Sequence, residues 1–240
     1  MKKWKIAAAA AVVLLAAGML LTGCGSQADG TSSAAGAGSA GSSAESADQA
    51  VTMEEYLSAW KAEDWEQAEQ IASEMPQMAD EACVSEMSDE QMAAFRKIVK
   101  EVPLDMNTED GYLWGYYLTD VDNDGVCDLI MDTGTCEADR IYTIYLYVEG
   151  NAHKYQEFPA SHSVPSAYPD HDGFVVNTGH MGTQYVTVAS MADRESLEFP
   201  YYEIGDDPDK DYVTVPLQLD SHISYTEDND PVLDLSPLEE

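Results

Sequence analysis

The chain has 240 residues and a formal net charge of −34 at pH 7, from 45 Asp and Glu against 11 Lys and Arg. A surface this acidic repels nucleic acid and anionic lipid headgroups, and it draws cations, whether metal ions or basic partners. Most of the acids need no partner, because a solvated acidic face also keeps a protein soluble.

The N-terminus opens with Lys2, Lys3 and Lys5, followed by a small and apolar run from Ile6 to Leu20. That run is short for a membrane span and has the length of a signal-peptide core. Leu21-Thr22-Gly23-Cys24 comes next. In this order and spacing the residues resemble the lipobox of bacterial lipoproteins. The resemblance implies that residues 1–23 are a signal peptide cut before Cys24. It also implies that Cys24 is lipidated with palmitate-type acyl chains. More than one acyl chain holds a protein firmly at a bilayer, so the remainder is expected to work outside the cytoplasmic membrane, anchored to it. Residues 24–50 are nearly all Gly, Ser and Ala, with no apolar periodicity, and read as a disordered tether. Residues 51–240 are long enough to bury a core as a single domain.

The folded part begins with helical signals. Thr52-Met53-Glu54-Glu55 is a capping box, and Tyr56, Trp60, Ala68 and Ile71 follow near helical spacing. The pattern predicts a helix from about Met53 to Ser73, ended or kinked at Pro76. Ser88-Asp89-Glu90-Gln91 is a second box before Met92, Phe95, Ile98 and Val99, which predicts a helix to about Glu101. Residues 51–103 are therefore read as helical.

From Tyr112 the composition shifts to Tyr, Val, Ile and Thr, broken by Gly, Asn, Asp and Pro. No helical segment separates these runs, so the strands are expected to pair antiparallel as a meander over residues 110–220. The fold class is α+β: an N-terminal helical pair, then an antiparallel β-meander. Besides Cys24, three cysteines remain. One disulfide and one free thiol is the simplest inventory outside the cell. A tight turn at Thr133-Gly134 would face Cys136 toward Met131, so a Cys127–Cys136 bridge needs a wider loop. Cys83 is equally open as a partner, and the sequence does not choose.

The densest chemistry is "LTDVDNDGVCDLIMD", Leu118 to Asp132. Asp120, Asp122, Asp124 and Asp128 stand at spacings that let oxygens converge on one cation, with Gly125 at the sharp turn and the Val126 carbonyl as a further ligand. Hard oxygen donors suit Ca²⁺, whereas Zn²⁺ favours His or Cys. The spacing resembles the calcium loops of EF-hands, dockerins and FG-GAP or VCBS-type repeats. The flanks read as strands, which matches the FG-GAP kind better, and the twelfth loop position is Met131 instead of Glu. A weak site is expected, in the range of roughly 0.1–1 mM. The whole chain is similar to uncharacterised Gram-positive cell-surface lipoproteins that join a lipobox, a tether, a helical segment and one such loop. That resemblance implies location and architecture and brings no activity with it.

His153, His162, His171 and His180 recur every nine residues without any repeat around them. His162, His171 and His180 could meet at one end of the sheet and hold a metal. Asp206, Asp207, Asp209 and Asp211 read as a solvated turn. No nucleophile elbow, P-loop or His-Glu-x-x-His is present. The sequence thus favours a membrane-anchored, calcium-stabilised binding module for an unknown cell-surface ligand or protein, with no nucleic acid partner. The rivals are a metal-dependent hydrolase built on His162, His171 and His180, and an accessory subunit of a surface assembly.

Overall fold

The computed structural model describes residues 51–75, 81–106, 108–191, 194–198 and 213–239. All of them belong to one unit, Ala47–Glu240. The expected signal peptide, Cys24, the expected tether and the Asp206–Asp211 stretch lie outside the described residues. No helix among the described residues is long and apolar enough to cross a membrane.

Two helices stand where the sequence predicts one. Helix α1 is Met53–Lys61 and α2 is Trp65–Glu74. The capping box at Thr52 is complete: its hydroxyl accepts from the Glu55 amide at 3.2 Å, and the Glu55 carboxylate accepts from the Thr52 amide at 2.8 Å. The break falls at Glu63, which takes a left-handed φ of 56°. Asp64 then caps α2 by accepting from the Gln67 amide at 3.1 Å. On one continuous helix positions 60 and 65 would point about 140° apart. The break instead lets the Trp60 and Trp65 rings meet edge to face at 4.9 Å.

Helix α3 is a single turn, Glu81–Val84, and α4 is Asp89–Glu101. Ser88 caps α4 by accepting from the Gln91 amide at 3.2 Å. The Gln91 side chain is not returned to the cap; it donates to the Cys127 carbonyl at 2.5 Å. That bond ties α4 to the residue before the second strand.

Among the described residues the fold is α+β with the helices first, and the antiparallel strands form two four-stranded sheets and a small ribbon. Sheet 1 has the order β1 (Tyr112–Thr119), β2 (Asp128–Gly134), β3 (Ile141–Val148), β4 (Asn151–Pro159). Sheet 2 has the order β5 (Ser163–Ser166), β6 (Phe174–His180), β7 (Thr183–Ala189), β8 (Arg194–Glu198). A ribbon pairs β9 (Ile223–Tyr225) with β10 (Pro231–Leu233). The meander expected over residues 110–220 does not extend through Val213–Leu219: in that stretch only Gln218 bridges to Ser166. Pro216 has no amide to give a ladder, and Leu217 sits at φ 53°.

Both faces of sheet 1 are buried at β1 and β2, which is why Leu129, Ile130 and Met131 run consecutively apolar instead of alternating with polar residues. Leu129 and Met131 join Phe95 and Val99 of α4 in one apolar cluster. Ile130 faces the other way, into a cluster with Tyr56 and Trp60 of α1, Tyr142 and Phe158 of sheet 1, and Phe174, Val175 and Val186 of sheet 2.

That second layer contains a charge. Asp132 of β2 is fully buried. Arg140 grips it with two nitrogens: Nε at 3.0 Å from Oδ1, and Nη2 on Oδ2. The Tyr117 hydroxyl donates to the same carboxylate at 3.4 Å. Arg140 Nη2 also reaches the Ser163 carbonyl at 3.3 Å, to which the Tyr142 hydroxyl donates at 3.0 Å. The guanidinium lies 5.2 Å from the centre of the Trp114 ring, a cation–π distance. Burial pushes the Asp132 carboxyl up, and the hydrogen bonds and charge of Arg140 pull against it.

Replacing Arg140 by Met leaves a buried, unpaired carboxylate. A loss of about 3–5 kcal/mol is expected at neutral pH, measured by urea denaturation. The variant's Asp132 must then have a folded pKa well above its unfolded one. Its deficit relative to the parent should therefore be largest above that folded pKa and shrink as the pH falls toward the unfolded value of about 3.9.

Candidate metal loop and the adjoining cavity

The loop between β1 and β2 is closed by the Thr119–Asp128 pair. It is held by its own side chains. Asp120 accepts from the amides of Asp124 at 3.1 Å and Gly125 at 2.8 Å. Asp124 accepts from the Val126 amide at 2.8 Å. Asn123 and Gly125 both take left-handed backbone, at φ 56° and 86°. Asparagine tolerates this conformation and glycine has no Cβ to oppose it.

This folding brings Asp120, Asp122 and Asp124 together, with one carboxylate oxygen of each within 4.8 Å of the others. Oxygens on a common cation at about 2.3–2.6 Å stand no more than about 5 Å apart, so the three can hold a metal ion. Asp122 Oδ1 is shut off from solvent and accepts no hydrogen bond. A buried carboxylate oxygen without a donor is costly unless a cation meets it. Burial, then the charges of Asp124 and Asp120, push the Asp122 carboxyl up.

Asp128 is placed differently. It is buried at the mouth of the loop, accepting from the Val121 amide at 3.0 Å and the Tyr147 amide at 2.9 Å. It therefore ties the loop to β3, and it is not one of the three gathered carboxylates. Burial pushes its carboxyl up to about 7 against the pull of those two amides, with Asp122 and Asp120 adding to the push. Val126 lies at the exit of the loop, half-buried. Met131 is buried in the α4 cluster, so the twelfth position offers no ligand.

A cavity of about 270 Å³ adjoins the loop. Asp120, Asn123 and Gly125 form one wall, the Tyr168–His171 turn another, and Leu219 and the Cys83–Cys127 bridge contribute apolar surface. A second cavity of about 330 Å³ lies on the far side of the same turn, against Thr52, Glu54 and Met75. The Tyr168 and His171 rings stack at 4.2 Å, and His171 Nε2 stands 3.4 Å from Glu54 Oε1. The turn is fixed to the loop where the Gly173 amide donates to the Val121 carbonyl at 2.5 Å.

Cys83 and Cys127 form the disulfide, with Cα atoms 5.2 Å apart, and Cys136 is an exposed free thiol. Of the three candidate histidines, His162 and His180 meet, while His171 stays at the cavity wall. Among the described residues the three aspartates are the one group of three or more metal-ligating side chains whose donor atoms gather. The histidine trio therefore does not form one centre.

Sequence reasoning missed the role of Tyr168 and the ion pair of Asp132 with Arg140. Asp132 and Arg140 carry a signal in retrospect: Asp132 is a lone acid ending one apolar strand run, and Arg140 is the lone cation opening the next. Tyr168 carries none. No protein-family model, no curated protein and no solved structure matches the chain.

The bridge spans 44 positions, and closing a loop of that length stabilises by about 4 kcal/mol in the chain-entropy account. Replacing Cys83 and Cys127 together by Ser should lower stability by about 2–4 kcal/mol. Denaturation of the two proteins under oxidising conditions measures this.

Proposed function

We propose that the protein is a lipid-anchored, extracytoplasmic binding module whose Asp120–Asp128 loop holds a structural Ca²⁺. The observation that carries this reading is the gathering of Asp120, Asp122 and Asp124 around a buried, unpartnered carboxylate oxygen. The donors are all oxygen, which suits a hard cation. Asp120, Asp122 and Asp124 would hold it, with the Val126 carbonyl available and Asp128 close enough in charge to sense it. A dication there cancels the repulsion that otherwise strains the loop. The anchoring part of the reading rests on Leu21-Thr22-Gly23-Cys24 and the apolar run before it.

The cavity beside the loop is the place for a ligand. It combines apolar and aromatic lining with a few polar groups, the usual make-up of a small-molecule site. Its acids, Glu86, Asp120 and Asp170, favour a cationic or hydrogen-bond-donating group. Among the described residues, the exposed apolar side chains of β3 do not favour the subunit reading. Ile141 and Val148 are exposed at opposite ends of β3 and do not form one patch.

Thermal melts of the Ala47–Glu240 unit in millimolar Ca²⁺ and in EDTA test the metal. With a Kd of roughly 0.1–1 mM, 10 mM Ca²⁺ should add about 1.4–2.7 kcal/mol. For a domain of this size that is a rise in Tm of roughly 3–10 °C. The Asp122→Ala, Asp124→Ala double variant should lose the rise. Equal melts in Ca²⁺ and EDTA for the parent would overturn the calcium reading.

A further inference from the structure

His162 and His180 lie apart from the metal loop, and the calcium reading does not use them. His162 occupies the turn from Ala160 to Ser163, closed by the Ser163 amide on the Ala160 carbonyl at 3.1 Å. Its backbone is left-handed, at φ 52°. His180 ends β6, just before Met181 and Gly182, whose φ angles of 49° and 81° fit a two-residue hairpin turn. The Gly179 amide donates to the His162 carbonyl at 3.2 Å, which pins the two histidine-bearing segments to each other. The two imidazoles stack with centroids 4.3 Å apart and planes at 25°.

The third member is Glu137, whose Oε1 lies 3.1 Å from His162 Nδ1. An ionised carboxylate only accepts, so Glu137 favours the tautomer with the proton on Nδ1, which leaves the Nε2 lone pair as the donor. A carboxylate behind an imidazole is the arrangement that orients a metal-ligating histidine and raises its basicity.

We propose that His162 Nε2 and a ring nitrogen of His180 form a two-imidazole site for a borderline transition-metal dication. Glu137 orients His162, and water completes the coordination. Imidazole donors suit Zn²⁺ and Cu²⁺ and do not suit Ca²⁺. Two nitrogens on a tetrahedral metal at about 2.05 Å stand about 3.3 Å apart. An imidazole lone pair lies in its ring plane, so the exposed His180 ring must turn out of the stack to aim a nitrogen at an ion held by His162. His180 is exposed and Glu137 stands in solvent on the same side, so the site is open to an entering ion. Stacking two neutral imidazoles in water has little to recommend it electrostatically, and a shared cation turns the pair into a chelate.

The test is calorimetric titration of the full-length chain in detergent with Zn²⁺ and separately with Cu²⁺, in excess Ca²⁺ so that the aspartate loop is saturated. One equivalent of at least one metal should bind. His162→Gln and His180→Gln should each weaken it roughly tenfold or more, and Glu137→Gln should weaken it about 10–100-fold as loss of an orienting carboxylate does. His171→Gln, Cys136→Ser and the Asp122→Asn, Asp124→Asn pair should leave it unchanged. The electron paramagnetic resonance spectrum of the Cu²⁺ form should show coupling to two nitrogens, falling to one in His180→Gln. No saturable binding of either metal, or binding that both histidine variants retain, would overturn the proposal. Loss of binding in Cys136→Ser or in the aspartate variant would overturn it too, by assigning the metal elsewhere.

Discussion

Asp132 is a carboxylate set in an apolar layer between two sheets, and it can remain charged there only while Arg140 holds it. The same guanidinium reaches Ser163 on sheet 2, so one side chain satisfies a charge on β2 and a backbone carbonyl across the interface. Tyr117 and Tyr142 complete the set from β1 and β3, and each hydroxyl is spent on a member of it. An apolar replacement of the pair could be equally stable, but it would not select one alignment. Slipping either sheet would strand a charge, which is a far steeper penalty than a misplaced methyl group. The pair thus fixes the geometry in which everything else is arranged.

The end of the molecule that carries the candidate site is assembled from three separate parts of the chain. Sheet 1 supplies the acidic loop, the connection between β5 and β6 of sheet 2 supplies the Tyr168–His171 turn, and α3 supplies the half-cystine Cys83. Gly173 bonds the turn to Val121 of the loop and the Cys83–Cys127 bridge joins α3, while Asp128 to Tyr147 and Gln91 to Cys127 tie the loop to β3 and α4. The cavity is consequently bordered by elements that cannot drift independently. Such a pocket suits a ligand that fits a preformed shape.

Much of this was legible in the residues. Both capping serine and threonine positions, the spacing of the aspartates and the shift from helical to strand composition each depend on neighbours in sequence, and each was readable. The interruption of the first helix was less so, because Glu63 has no special claim on left-handed backbone. The Asp64 cap and the packing of Trp60 on Trp65 reward it. The division into two sheets was hidden because a meander and two stacked meanders share the same antiparallel neighbours. What separates them is the Ser163 connection, a long-range contact. Choosing Cys83 over Cys136 as the partner of Cys127 likewise needed the placement of α3. The aspartate loop itself was foreseen as four side-chain ligands. The structure gathers three and gives the fourth to two amides, since Asp128 begins a strand and its carboxylate meets the ladder.

Two glycines at this site are constrained for unlike reasons. At Gly125 a Cβ would meet nothing within 4 Å, and only the φ of 86° argues for glycine. At Gly173 a Cβ would fall 2.0 Å from the Ala189 carbonyl oxygen, inside the ladder contact of sheet 2. Over evolutionary drift the first position can pass to asparagine or aspartate with little loss, whereas the second has nowhere to go. In any divergent descendant of this chain, the aspartate loop could erode past recognition while the glycine after Asp172 persisted. Gly173 is therefore the better landmark by which distant kin would be aligned.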